Sequence, residues 1–207
     1  MSAHAAIPPA SAEALALLPG FDDPVNGAQA AFRAALHAMA HPGRAVGIDA
    51  PCGVPAGLSP AMTALLLALA DGDTPLWLPP GIGEDARGFL RFHCGAPLAD
   101  AVGKARFVAV PAGFDMPDLE SCDAGDPAYP DRSATLLIEV ASLSSGPLVT
   151  LRGPGIESRQ PLAVAGLPAG FRDQWGAVAA RFPLGVDVLL TCGDQVCGLP
   201  RTVQMEA

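Results

Sequence analysis

The chain has 207 residues, room for one domain with a sizeable core, and a formal net charge of −9. Half of the residues are hydrophobic and only 5% are aromatic, so the core must be built of Ala, Leu and Val; 23 Gly and 22 Pro promise many turns, in a chain too apolar for disorder. The acidic balance excludes nucleic acid and anionic membrane as partners of the surface as a whole, and the most apolar stretch, Ala61 to Ala70, is too short to cross a bilayer.

Residues 1–20 are rich in Ala and Pro and are expected to form a mobile arm with one helical turn around Leu15 to Leu18. The opening MSAHAAIPPA lacks the basic start and apolar run of a secretory signal. Residues 21–207 then read as a single α/β domain. A helix starts at Pro24, capped by Asp22 or Asp23, with Ala28, Phe32, Ala35 and Met39 at helical spacing and a stop at His41-Pro42-Gly43. Arg44 to Ile48 is a short strand. Ser59 caps a second helix, Pro60 to Ala70, whose Leu and Ala content predicts burial. Thr74 to Leu78 is a strand, Glu84 to His93 a helix carrying Arg87 and Arg91 on one side, and Arg106 to Val110 a strand.

The acidic stretch Phe114 to Tyr129 predicts a solvated helix and loop. Ala134 to Ala141 is a strand with Glu139 as its one carboxylate, and Leu148 to Arg152 another, turning at Gly153-Pro154-Gly155. Ile156 to Val164 is expected to continue the sheet, and Pro168 to Arg181 to be a helix. A hairpin closes the chain: Val186 to Leu190 runs to a Cys192-Gly193-Asp194 reversal and returns through Gln195 to Leu199. Helices and strands alternate first and strands cluster later. The simplest architecture is one mixed sheet with helices on both faces, in three layers.

Chemical motifs are few. The sequence holds no GxSxG, HExxH, Walker lysine loop or Rossmann glycine fingerprint. Five cysteines without a CxxC suggest reduced thiols in a cytoplasmic protein, and no His or Cys spacing predicts a metal site. Lys104 is the only lysine, so a Schiff-base coenzyme would have no other anchor. Leu151 to Ile156 superficially resembles a phosphate loop, but Pro154 removes an amide donor and a tight turn is the simpler reading. His93 and Cys94 adjoin at a helix end, where neighbours in sequence do not face each other. His37 and His41 share a helix face as surface decoration.

Asp187 stands in an apolar strand and must face solvent, find a partner or shift its pKa, an exposed strand face being the ordinary case. Arg91, Arg152 and Arg201 each flank an apolar element. Together they could grip phosphate or phosphonate oxygens; separately each is an ordinary salt-bridge partner.

Six strings in order resemble one family: FRAALHAMAHPG from Phe32, LADGDTPLWL from Leu69, LRFHCGAP from Leu90, TLLIEVASL from Thr135, LRGPGI from Leu151 and FPLGVDVLLTCGDQVCGLPRT from Phe182. The chain is similar to the H subunits (PhnH) of the bacterial carbon–phosphorus lyase system, from about residue 21 to its end. The segment before Phe21 and the Gly113 to Asp131 region carry no part of the likeness. The resemblance implies a fold similar to pyridoxal-phosphate-dependent transferases without the coenzyme, and no other cofactor. It implies a homodimer when isolated, a core complex with the G, I and J subunits, and a functional link to the L subunit. The implied activity is support for transfer of an alkylphosphonate onto the ribose of ATP with loss of adenine, in phosphonate catabolism. No catalytic residue is carried over. Arg91, His93, Arg152, Asp187, Arg201 and Thr202 match motif positions and are the candidates for a ligand or subunit cleft. The alternative is a stand-alone phosphate or nucleotide binder, or a small-molecule transferase.

Overall fold

The computed structural model describes residues 18–206; the helical turn expected near Leu15 falls almost wholly outside them. Helix α1 (Pro24–Ala40) is capped by Asp23, whose carboxylate accepts from the amides of Val25 and Asn26, and ends at His41. Strand β1 (Ala45–Gly47) precedes α2 (Pro60–Leu69), where the Ser59 hydroxyl accepts from the Met62 amide. Next come β2 (Leu76–Trp77), α3 (Glu84–Cys94), β3 (Phe107–Val110) and β4 (Thr135–Glu139). The second half holds β5 (Leu148–Arg152), β6 (Gln160–Ala163), α4 (Phe171–Ala179), β7 (Asp187–Cys192), β8 (Gln195–Leu199) and β9 (Gln204–Glu206).

These strands form two sheets, where the sequence pattern predicts one. The larger is six-stranded in the order β1-β8-β7-β4-β3-β2. Its β2, β3, β4 and β7 run parallel, and β8 and β1 add antiparallel rungs, so it is mixed as expected. Strands β5 and β6 do not continue it: β4 is already paired on both sides by β3 and β7. They pair instead with β9, a short strand that local patterning misses, in an antiparallel sheet of order β6-β5-β9.

Alternation along the central strands sorts side chains onto two faces. Ala109, Leu137, Leu189 and Val196 face α1, α2 and α3, packing on Ala34, Ala38, Leu65 and Phe89. Val108, Leu136, Ile138 and Val188 face α4 and the small sheet, packing on Phe171, Trp175, Leu151 and Leu162. Helices therefore lie on both faces, the second face being shared with a sheet. The Trp175 Nε1–H donates to Val203 O at 3.0 Å, which ties α4 to the lead-in of β9.

Two expectations change here. The core face of α1 is not its bulky stripe but Gly27, Ala31, Ala34, Ala35 and Ala38. The reason is close packing: a Cβ at Gly198 of β8 would stand 2.4 Å from Ala38 O, so only small residues fit between helix and sheet. The acidic stretch is no solvated helix either. It contains one short 3₁₀ turn, Leu119–Ser121, with Leu119 1% exposed and its amide donating to Gln174 Oε1 at 2.9 Å. Asp118 and Asp126 bond nearby backbone amides, a local alternative to helix formation.

Candidate functional site

The strands of the parallel block give the large sheet an amino edge and a carboxyl edge, and the polar side chains collect at both. Asp187 opens β7 at the amino edge, and the hairpin register, pairing Val188 with Leu199, brings it beside Arg201. The Arg201 amide and Nε–H both donate to Asp187 Oδ1, at 2.9 and 3.2 Å. Nη1 donates to Pro130 O at 2.7 Å and to Pro183 O at 3.5 Å, while Nη2 donates to Ser133 Oγ and Asp187 Oδ2. A guanidinium has five N–H donors, and each of these has an acceptor within the chain. Both side chains are mostly buried, at 12% and 20% exposure. Asp187 thus finds a partner instead of solvent, and the pair clamps the hairpin to the turn before β4.

Thr202 follows Arg201 into the wall of a groove of about 530 Å³ between α4 and β9, shared with Trp175, Ala179, Phe182 and Met205. Arg152 on β5 reaches the neighbouring strand, its Nε 3.1 Å from Glu206 Oε1, at ion-pair distance without the alignment of a hydrogen bond. Four of the six sequence candidates therefore share one corner of the molecule. The LRGPGI stretch beside them is a tight turn: a Cβ at Gly155 would approach Ala40 O to 2.5 Å, so the turn is pressed against the end of α1. No helix N-terminus follows it to hold a phosphate.

Arg91 and His93 lie elsewhere, at the end of α3. Arg91 pairs with Glu84 at 2.8 Å, both side chains well exposed. His93 Nε2 lies 2.9 Å from Leu18 O; a carbonyl only accepts, so this nitrogen carries the proton. The ring also touches Phe89 and Phe92, and a Cβ on Gly20 would come within 3.1 Å of its Nδ1. His93 pins residues 18–20 against α3. Cys94 turns inward, donating to Leu66 O at 3.5 Å, and burial pushes its thiol up to about 11. An un-ionised thiol facing away from the imidazole is no nucleophilic pair. The His37 and His41 rings stack at 4.2 Å on the end of α1.

Sequence reasoning noticed Glu139 without making it a candidate, and the structure gives it the most developed polar setting at the carboxyl edge. It ends β4. Its Oε2 accepts from Ser59 Oγ at 2.6 Å and from Thr191 Oγ1, and its Oε1 from the Gly193 amide at 3.2 Å. The first amides of α2 lie beside it, a favourable place for a carboxylate. Glu139 also lines a cleft of about 330 Å³ with Pro111, Phe114, Asp115, Gly166 and Pro168. Crevices at the carboxyl ends of parallel strands are where open α/β sheets bind ligands. The signal was the lone carboxylate ending an apolar strand. Its partners, far away in sequence, were not readable. Among the described residues no group of three or more His, Cys, Asp or Glu is placed to hold a metal ion, and no helix is long and apolar enough to cross a membrane.

Comparison with known proteins matches residues 19–206 to the family described as bacterial phosphonate metabolism protein (PhnH). A Rhizobium meliloti (strain 1021) protein named alpha-D-ribose 1-methylphosphonate 5-triphosphate synthase subunit PhnH is 39% identical over 187 residues, covering 90% of this chain and 94% of that one. A putative C-P lyase subunit protein HtxG of Stutzerimonas stutzeri is 32% identical over 182 residues, covering 86% and 85%. The likeness runs through both edges of the sheet and every packed element between them, and the chain belongs to the PhnH family of bacterial phosphonate metabolism proteins.

Proposed function

We propose that the chain is a non-catalytic or co-catalytic subunit of the carbon–phosphorus lyase machinery, supporting transfer of an alkylphosphonate to the ribose C1 of ATP with release of adenine. One observation carries this reading: the likeness over 90% of the chain to a relative named as a subunit of a ribose 1-methylphosphonate 5-triphosphate synthase. The chemistry of the residues agrees with a supporting role. The thiols of Cys94, Cys122 and Cys197 are pushed up to about 11 or 12 by burial, far from a reactive thiolate.

The carboxyl-edge cleft is the ligand site in this reading. Its lining pairs Glu139 with Asp115 and, among the described residues, includes no cation, so a phosphonate or triphosphate group is repelled there. What suits it is a neutral part of the substrate bearing hydroxyl or amino hydrogens, donated to the carboxylates. Arg152, Thr202 and the Asp187–Arg201 clamp form the subunit cleft at the opposite edge, with Arg91 and His93 as a second contact on α3. Arg201 has no donor left for an oxyanion, and Arg91 and Arg152 stand on opposite faces of the large sheet, each beside its own glutamate. A stand-alone phosphate binder built on these arginines is correspondingly less supported.

The finer partner set follows the family: a homodimer alone, a core complex with the G, I and J subunits, a functional link to the L subunit, and a cytoplasmic setting. The same reading likens the fold to that of the pyridoxal-phosphate-dependent transferases, with no coenzyme. Lys104 agrees with that, being exposed and paired with Asp100 at 3.1 Å on a 3₁₀ turn. The test is a reconstituted mixture of the G, I and L subunits with and without this chain. Phosphonate-dependent adenine release should collapse when the chain is omitted; undiminished release overturns the proposal.

A further inference from the structure

The small sheet ends in an open edge. Its order β6-β5-β9 leaves β9 paired on one side only, with Gln204 opposite Arg152 and Glu206 opposite Thr150. In an antiparallel ladder only alternate residues exchange hydrogen bonds with a given neighbour. The phase here is set twice. Val203 O turns away from β5 to accept from the Trp175 indole, so Met205, two residues on, turns its N–H and C=O the same way. On β6, Pro161 lies opposite Thr150 and has no N–H to exchange, so Thr150 and Arg152 bond toward β9 and Leu151 toward β6. Leu151–Met205 is then the non-exchanging pair, and the backbone groups of Met205 face outward. Among the described residues, no hydrogen bond reaches them from outside the sheet.

These groups open onto the groove between α4 and β9. Gln204 and Met205 both line it, and since successive side chains of a strand point to opposite faces, a groove touching both runs along the strand's edge. The facing wall is α4, where Gly176 and Ala179 leave width between Trp175 and Phe182, the latter 62% exposed. A phosphonate or nucleotide finds no free cation in this lining, because every donor of Arg201 is spent. An unpaired donor and acceptor on one strand edge, flanked by apolar walls, match an extended polypeptide. Beside Phe182, Arg181 is exposed and has no ion-pair partner among the described residues, so the matching chain carries a carboxylate at that end.

We propose that this groove receives an extended segment of another subunit of the machinery, which adds a fourth strand beside β9. Met205 supplies the rung, an apolar side chain fills the space between Trp175 and Phe182, and a carboxylate meets Arg181. The inference rests on the subunit reading for its partner and on the sheet edge for its location.

The experiment is titration of the full chain and its variants into a purified complex of the G, I and J subunits. A Cβ at Gly176 meets nothing within 4 Å, so Gly176→Phe blocks the groove without disturbing the fold, and it should weaken binding at least tenfold. Met205→Pro removes the outward N–H while sparing the bonds of Gln204 and Glu206 to β5, and should act alike. Ala177→Phe, exposed on α4 outside the groove, should bind within twofold of wild type. The Met205 amide should exchange with solvent quickly in the isolated chain and at least tenfold more slowly in the complex. Variants that bind as tightly as wild type, or a Met205 amide that complex formation leaves unchanged, overturn the inference and leave the functional reading standing. So does a Gly176→Phe chain that keeps its affinity for the subunits but halves in mass when isolated, since the groove then belongs to a second copy. A wild-type chain that does not bind the three subunits sinks the functional reading, and this inference with it.

Discussion

Asp187 and Arg201 are worth most to each other. Removing the guanidinium leaves a largely buried carboxylate without its counter-charge, an effect of about 3–5 kcal/mol for buried pairs. Arg201→Met is therefore expected to lower the urea midpoint severely, and Arg201→Met with Asp187→Leu to recover part of the loss. Recovery stays incomplete because Pro130 O and Ser133 Oγ also lose their donor. The pair was nearly legible in the sequence: once the hairpin is drawn with Val188 opposite Leu199, the next rung sets Asp187 opposite Pro200, one residue short of Arg201. Glu139 was not, because Ser59 and Thr191 reach it from separate elements. The thiols give a pH signature. Cys122 and Cys197 are pushed up to about 12, and Cys94 to about 11, from 9.0, chiefly by burial. The unfolded chain loses these protons first, so their contribution is intact below about pH 9 and is lost as pH rises toward about 12. Urea midpoints should fall across that window, and Cys122→Ala with Cys197→Ala should flatten the slope.

At the scale of elements, the helices were readable because their signals are local. Asp23 before Pro24 and Ser59 before Pro60 cap α1 and α2 as their sequence suggests. The orientation of α1 was not local. Its bulky stripe is the conspicuous one, but the inner face is chosen by Gly198, far along the chain on β8. Gly198→Ala should force α1 off the sheet, since the new Cβ meets the Ala38 carbonyl at 2.4 Å and backbone cannot swing away. A loss of about 1–3 kcal/mol in denaturation, with α1 amides exchanging faster than those of β4, is the expected result. Nonlocal pairing also hid the second sheet. Strands β5 and β6 look like any others until β9 arrives to complete them, and β9 is only three residues long.

At the scale of the whole molecule, the two edges of the central sheet have different characters. The amino edge carries the Asp187–Arg201 clamp, the outer face of α1 and, beside Leu36, an apolar groove of about 240 Å³. The carboxyl edge carries Glu139 and the acidic cleft. Sites separated by the length of a strand, with no shared partners, add their effects to within about 0.3–0.5 kcal/mol. Leu36→Glu with Glu139→Ala should thus match the sum of the singles in stability to denaturant, and a larger discrepancy would reveal a rigid link between the edges. Five residues of β4 span about 16 Å at ~3.3 Å each. A compound that fills the apolar groove at one rim would therefore leave the opposite mouth open, and raising the concentration of whatever enters that mouth would not displace it.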